Sequence, residues 1–82
     1  AGAAVPLERD LHAQCARAIE RYALTPRESD IVRLLAQGRS IAIICEQLVV
    51  SKNTVKTHVK NIYLKMDVHS QQELIDRVRT LP

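Results

Sequence analysis

The sequence predicts an all-α fold, a helix-turn-helix domain with an additional N-terminal helix, on three observations. Apolar residues recur three and four apart in successive segments, most clearly as Val55, Val59, Ile62 and Met66, which is one stripe of a 3.6-residue helix. Thr25, Ser40, Ser51 and Ser70 each precede such a segment, and a hydroxyl there can accept a hydrogen bond from a free N–H of the first helical turn. A short turn then joins one amphipathic segment to a strongly cationic one, the order of a helix-turn-helix.

The elements follow in order. Residues 1–6 are small and end in Pro6, a pattern expected of a frayed tail. Leu7 to about Tyr22 places Leu7, Leu11, Cys15, Ala18, Ile19 and Tyr22 on one side of a helix. That stripe packs on the domain that follows, on a copy of itself, or on an upstream domain. Residues 1–23 are therefore assigned as tail and linker helix, and residues 24–82 as the domain proper. The second helix is specified at both ends. Thr25 and Glu28 form a capping box, Pro26 sits at the first helical position, and Gly38 supplies a left-handed stop. Ile31, Leu34 and Leu35 are its expected buried face. Ser40 caps a third helix, Ile41 to Leu48, with Ile44, Cys45 and Leu48 inward and Ile43 out of phase. Val49 and Val50 disfavour helix continuation and bridge to Ser51. The fourth helix runs to Met66, followed by Asp67 where glycine would be the easy left-handed residue. Ser70 and Glu73 open a last helix whose apolar side is Leu74, Ile75, Val78 and Leu81.

With 82 residues, the chain is one small domain that buries only about 60% of its unfolded surface. A hydrophobic content of 46% suits a globular domain. Tyr22 and Tyr63 are the sole aromatics, which disfavours single-strand binding by base stacking. A net charge of +3 and a pI near 9.2 are compatible with a polyanionic partner. Cys15 and Cys45 lack CxxC or CxxxH spacing, as expected of two buried reduced thiols in a cytoplasmic protein, with a disulfide or a metal site as the alternatives. No run of 18 apolar residues and no signal-peptide pattern is present. His12, His58 and His69 form no catalytic or metal-ligating set, and no glycine-rich phosphate loop occurs. No enzyme activity, cofactor or metal is expected.

The chemistry concentrates in Ser51–Met66. Lys52, Asn53, Lys56, Thr57, Lys60 and Asn61 stand between the apolar positions, and no carboxylate occurs between Glu46 and Asp67. Positions 52, 53, 56, 57 and 60 share a face by neighbour spacing. Lysine can donate to guanine O6 and N7, a threonine methyl can pack on the thymine methyl, and Asn53 can read adenine. A solvated lysine-rich surface or a helical protein-interaction module is the alternative, the latter suggested by Ile41 and Ile43.

Three stretches, LTPRE at 24–28, LLAQG at 34–38 and TVKTHVKNIYLKMDVHS at 54–70, together resemble the C-terminal DNA-binding domain of LuxR-type transcription regulators, over about Leu24 to Val78. Sigma-factor region 4 shares the proline-capped helix and S-x-x-T-V-K but usually lacks the H-V-x-N-I run. The resemblance implies a tetrahelical domain that binds double-stranded DNA through the helix at 51–66 in the major groove. It places Lys56, Thr57 and Lys60 at base edges and Lys52, Thr54 and His58 on the phosphate backbone. It further implies a weak homodimer on a two-fold operator, with Leu74, Ile75 and Val78 as candidate contacts; the alternatives are that these three close the core of one subunit and that the helix Leu7–Tyr22 is the dimer element. An upstream sensory domain is also implied, of a kind that includes membrane-embedded ones. The chain opens on Ala1 rather than Met and reads as part of a longer protein. It departs from the family pattern at SIAIIC, residues 40–45, where Ile41, Ala42 and Ile43 replace more polar residues, and at Leu64 and Asp67.

Overall fold

The computed structural model describes residues 7–81, with side chains from Asp10 onward; the expected tail at 1–6 and the inward face of Leu7 lie outside the described residues. Helices α1 (Leu7–Arg21), α2 (Pro26–Ala36), α3 (Ile41–Leu48), α4 (Lys52–Met66) and α5 (Gln71–Thr80) succeed one another. There is no strand among the described residues.

The first four helices end in the same way, which sequence reading resolves for only two. Ala23, Gly38, Val49 and Asp67 all have positive φ. In each case the next N–H closes a loop to a carbonyl five residues back: Leu24 to Ile19 (3.0 Å), Arg39 to Leu34 (3.1 Å), Val50 to Cys45 (3.2 Å) and Val68 to Tyr63 (3.0 Å). This is the Schellman stop, which satisfies carbonyls that a helix end leaves open. Leu24 and Val68 are buried just past the turn, and Val50 half-buried, so the next apolar residue supports the left-handed one. Burial there lets alanine, valine and aspartate stand where glycine is easier.

Helix α2 is the hub, packing against α1, α4 and α5, while α3 rests mainly on α4. Ile31, Val32, Leu35 and Ala36 of α2 are buried, with Leu34 half-buried. Cys15 and Ala18 of α1 join the same apolar cluster. The N-terminal helix thus lies on the domain that comes after it, and one core spans both sides of residue 23.

Side chains from neighbouring helices tie the helix ends together. Gln71, at the start of α5, donates to the carbonyls of Leu35 (3.1 Å) and Arg39 (2.9 Å) at the end of α2. Arg77 of α5 donates to the Met66 carbonyl (2.9 Å) at the end of α4. Gln14 of α1 donates to the Arg79 carbonyl (3.2 Å) near the end of α5. No buried side-chain nitrogen or oxygen among the described residues lacks a partner.

Leu74 and Val78 are both 0% exposed and belong to the core of their own subunit, so their side chains have no surface to offer a twin. Ile75 alone of the three keeps partial exposure.

Candidate nucleic-acid interface

Helix α4 starts at a tightly specified point. The Ser51 hydroxyl oxygen accepts from the Thr54 N–H (3.2 Å) and donates its own proton to the Thr54 hydroxyl oxygen (2.9 Å). No acidic residue occurs in this first turn, so the positive end of the helix dipole is open to an anion.

Val55, Ile62 and Met66 are fully buried and Val59 is 8% exposed, the stripe expected from their spacing. Burying that stripe turns the other side outward. Lys52, Asn53, Thr54, Lys56, Thr57, Lys60 and Asn61 are exposed, and His58 is half-buried at the edge of this face. The structure thus brings the exposed sequence-derived positions onto one helix surface, with His58 flanking it. Thr57 donates its hydroxyl proton to the Asn53 carbonyl (3.0 Å), leaving its oxygen lone pairs and its methyl group available. Among the described residues, no ion pair engages Lys52, Lys56 or Lys60. These ammonium groups are uncompensated.

The fourth lysine, Lys65, does something different. Its ammonium lies 2.7 Å from Glu28 Oε1, and the Glu28 side chain is only 4% exposed. The same carboxylate oxygen accepts the Thr25 N–H (2.9 Å), while Thr25 Oγ1 accepts the Glu28 N–H (3.2 Å). The capping box of α2 therefore doubles as the anchor of α4. Burial pushes the Glu28 carboxyl upward, but bonds from Lys65 and Thr25 outweigh it and hold the group below its ordinary value. The capping box was legible from its three-residue spacing; the Lys65 contact, 37 positions away, was not.

Helix α3 contributes little cationic surface. Ala42, Ile43 and Glu46 are exposed and Ile44 is its sole fully buried residue. Arg39, exposed just before the Ser40 cap, supplies the nearest positive charge in sequence.

A helix held against a hub by its apolar stripe, with an acid-free cationic face outward and a supporting helix before it, defines a duplex-DNA-binding helix-turn-helix module. Comparison with known proteins agrees. Residues 22–78 match the family described as bacterial regulatory proteins, luxR family, and the chain belongs to that family. It is 44% identical over 69 residues to the uncharacterized response regulatory protein YgeK of Escherichia coli K12, covering 79% of this chain and 47% of that protein. It is 43% identical over 54 residues to the monoamine regulon transcriptional regulator of Klebsiella aerogenes, covering 66% of this chain and 24% of that one. Against the nitrate/nitrite response regulator protein NarL of Escherichia coli K12 the identity is 46% over 50 residues, covering 61% and 23%. The chain thus spans less than half the length of each of these relatives. No solved structure matches the chain significantly.

Proposed function

We propose that this chain is the DNA-binding output domain of a bacterial transcription regulator, with α4 lying in the major groove of double-stranded DNA. Lys56, Thr57 and Lys60 face base edges in this reading. Lys52, Thr54 and His58 hold the phosphate backbone, and Asn53 lies between the two groups. The observation that carries it is the outward face of α4: free of carboxylates, with Lys52, Lys56 and Lys60 in no ion pair among the described residues.

The whole protein responds to a signal through an upstream domain, a reading supported by two relatives that are named as response regulators. That domain is of the receiver, ligand-binding or membrane-embedded kind. This domain acts in the cytoplasm by binding, without catalysis. Among the described residues no helix is long and apolar enough to cross a membrane. Self-association is weak in isolation and completed on a two-fold operator, with half-sites about 34 Å apart. Ile75 is the remaining candidate on α5 for a contact between copies.

Salt-dependent binding to mixed duplex fragments tests this reading. Neutralising about four phosphates gives a log–log salt slope of about −3.6. An absence of detectable duplex binding at low salt overturns it in favour of a helical protein-interaction module.

A further inference from the structure

Away from α4, an open cleft of about 430 Å³ lies among α1, α2 and α5, and none of its lining residues comes from α3 or α4. Leu11, Cys15 and Ala36 give it an apolar lining; Arg33, Arg39 and Arg79 bring three guanidinium groups to it from α2, the α2–α3 loop and α5. The volume is within the range of about 300–1,000 Å³ typical of small-molecule sites. Among the described residues no carboxylate lines the cleft, and no ion pair engages any of the three arginines.

The fourth polar wall is His12. Arg33 donates to the His12 ring Nδ1 (3.0 Å) and to the His12 carbonyl (3.3 Å). A guanidinium cannot accept a hydrogen bond, so Nδ1 is the acceptor and the ring carries its proton on Nε2. Every polar side chain in the cleft, with Gln37, can therefore donate. Three like charges gathered without a counter-charge among the described residues repel one another, and a bound anion relieves that repulsion while drawing on bidentate guanidinium geometry.

We infer that this cleft binds a small organic dianion, a phosphate monoester or a dicarboxylate carried on an apolar body. The arginines hold the charged group, and Leu11, Cys15 and Ala36 take the apolar part. An apolar lining is of no use to a DNA phosphate, and the cleft shares no lining residue with the helix-turn-helix, so a small molecule fits it better than an extension of the duplex. The site is distinct from the α4 face, and binding there does not depend on the DNA-binding reading.

Phenyl phosphate is the probe, titrated against the 82-residue chain by amide chemical shifts, with inorganic phosphate and succinate in parallel. Saturable shifts at Leu11, Ala36 and Gln37 are expected, with dissociation constants in the roughly millimolar range for ligands of this size. Inorganic phosphate should bind severalfold more weakly. Arg39→Ala and Arg79→Ala should each weaken binding about tenfold, the loss of a hydrogen bond to a charged group. Both side chains are exposed, and unchanged thermal unfolding verifies that the variants fold; Arg39→Gln repeats the test with the stem kept. Lys60→Ala should leave phenyl phosphate binding unchanged. No saturable shift up to about 10 mM overturns the proposal. Equal affinity for inorganic phosphate overturns the organic class of ligand. Displacement of phenyl phosphate by duplex DNA, with loss of DNA affinity in Arg79→Ala, reassigns the cleft to the DNA interface.

Discussion

Helices α3 and α4 form the two halves of one motif, yet they are held and surfaced in opposite ways. Helix α4 buries four residues and draws on three other helices: α2 for packing and the Glu28 anchor, α3 for packing, and Arg77 of α5 for its last carbonyl. Helix α3 buries one residue, Ile44, and rests mainly on α4. Outward, α4 shows uncompensated lysines whereas α3 shows Ala42, Ile43 and the carboxylate of Glu46. The helix that reads DNA in the proposed function is thus the one the fold fixes most firmly. Its companion is a lightly held support that carries no cation of its own.

The largest effect expected from this asymmetry is on stability. Ile44→Ala should cost about 3 kcal/mol, because it empties the one buried position that docks α3. Urea denaturation measures it; a cost below about 1 kcal/mol would mean that α3 frays independently of the global fold. Next comes the α4 anchor. Glu28→Ala removes the returning half of the α2 capping box and leaves Lys65 without its partner, for about 2–3 kcal/mol, less than a fully buried pair because Lys65 retains solvent access. The same pair sets an acid limit. The folded-state carboxyl lies below its ordinary value of 4.5, so its stabilisation is complete above that value and fades as pH falls through the lowered one. Stability measured against pH should fall at that acid edge, and the Glu28→Gln variant should lose this component of the fall.

Much of this asymmetry was visible in the residues. Apolar spacing and hydroxyl caps located the helices, since both are local signals, and the stretch from Ser51 to Met66 declared its cationic face directly. The outward phase of Ile43 was equally plain. Family resemblance marked which positions of α4 to weigh, but burial was needed to show that Leu74 and Val78 close the subunit's own core; periodicity says which residues share a face, not what covers it. The cross-ties of Glu28 to Lys65 and of Gln71 to the end of α2 depend on approaches of 37 and of 36 and 32 positions. No local pattern encodes them. The cationic cleft escaped for the same reason, its arginines being scattered over α2, a loop and α5.

Binding separates the two helices at a smaller scale. Lys60→Ala should cost about 2 kcal/mol at a preferred site and relax the preference at one base step, as expected of a side chain that reads a base. Uniform weakening across sequences, seen by competition between site variants, would assign it to phosphate instead. The reverse experiment is on α3. Ile43→Lys places a cation on the exposed side of that helix and should steepen the salt slope by about 0.9, with a gain of at most about 1 kcal/mol. An unchanged slope would show that α3 faces away from the duplex, and the asymmetry would then be one of orientation rather than of composition.

The turn between the two helices gives the smallest effect. Val49 sits at φ 55 and ψ 50, a conformation that crowds the Cβ of any L-residue and is most unfavourable for a β-branched one. Its side chain is 88% exposed, so little burial offsets that strain; the stop is maintained by the bond from the Val50 N–H to the Cys45 carbonyl and by the half-buried Val50 side chain. Asparagine tolerates the left-handed region and, unlike glycine, does not greatly enlarge the freedom of the unfolded chain. Val49→Asn should therefore stabilise the domain by about 0.5–1 kcal/mol, read as a raised urea midpoint with unchanged slope. Because Ile44 docks α3 into the shared core, the gain should slow amide exchange in α3 and α4 together. Slowing confined to α3 would show that it opens on its own, and the contrast in how the two helices are held would then extend to their dynamics.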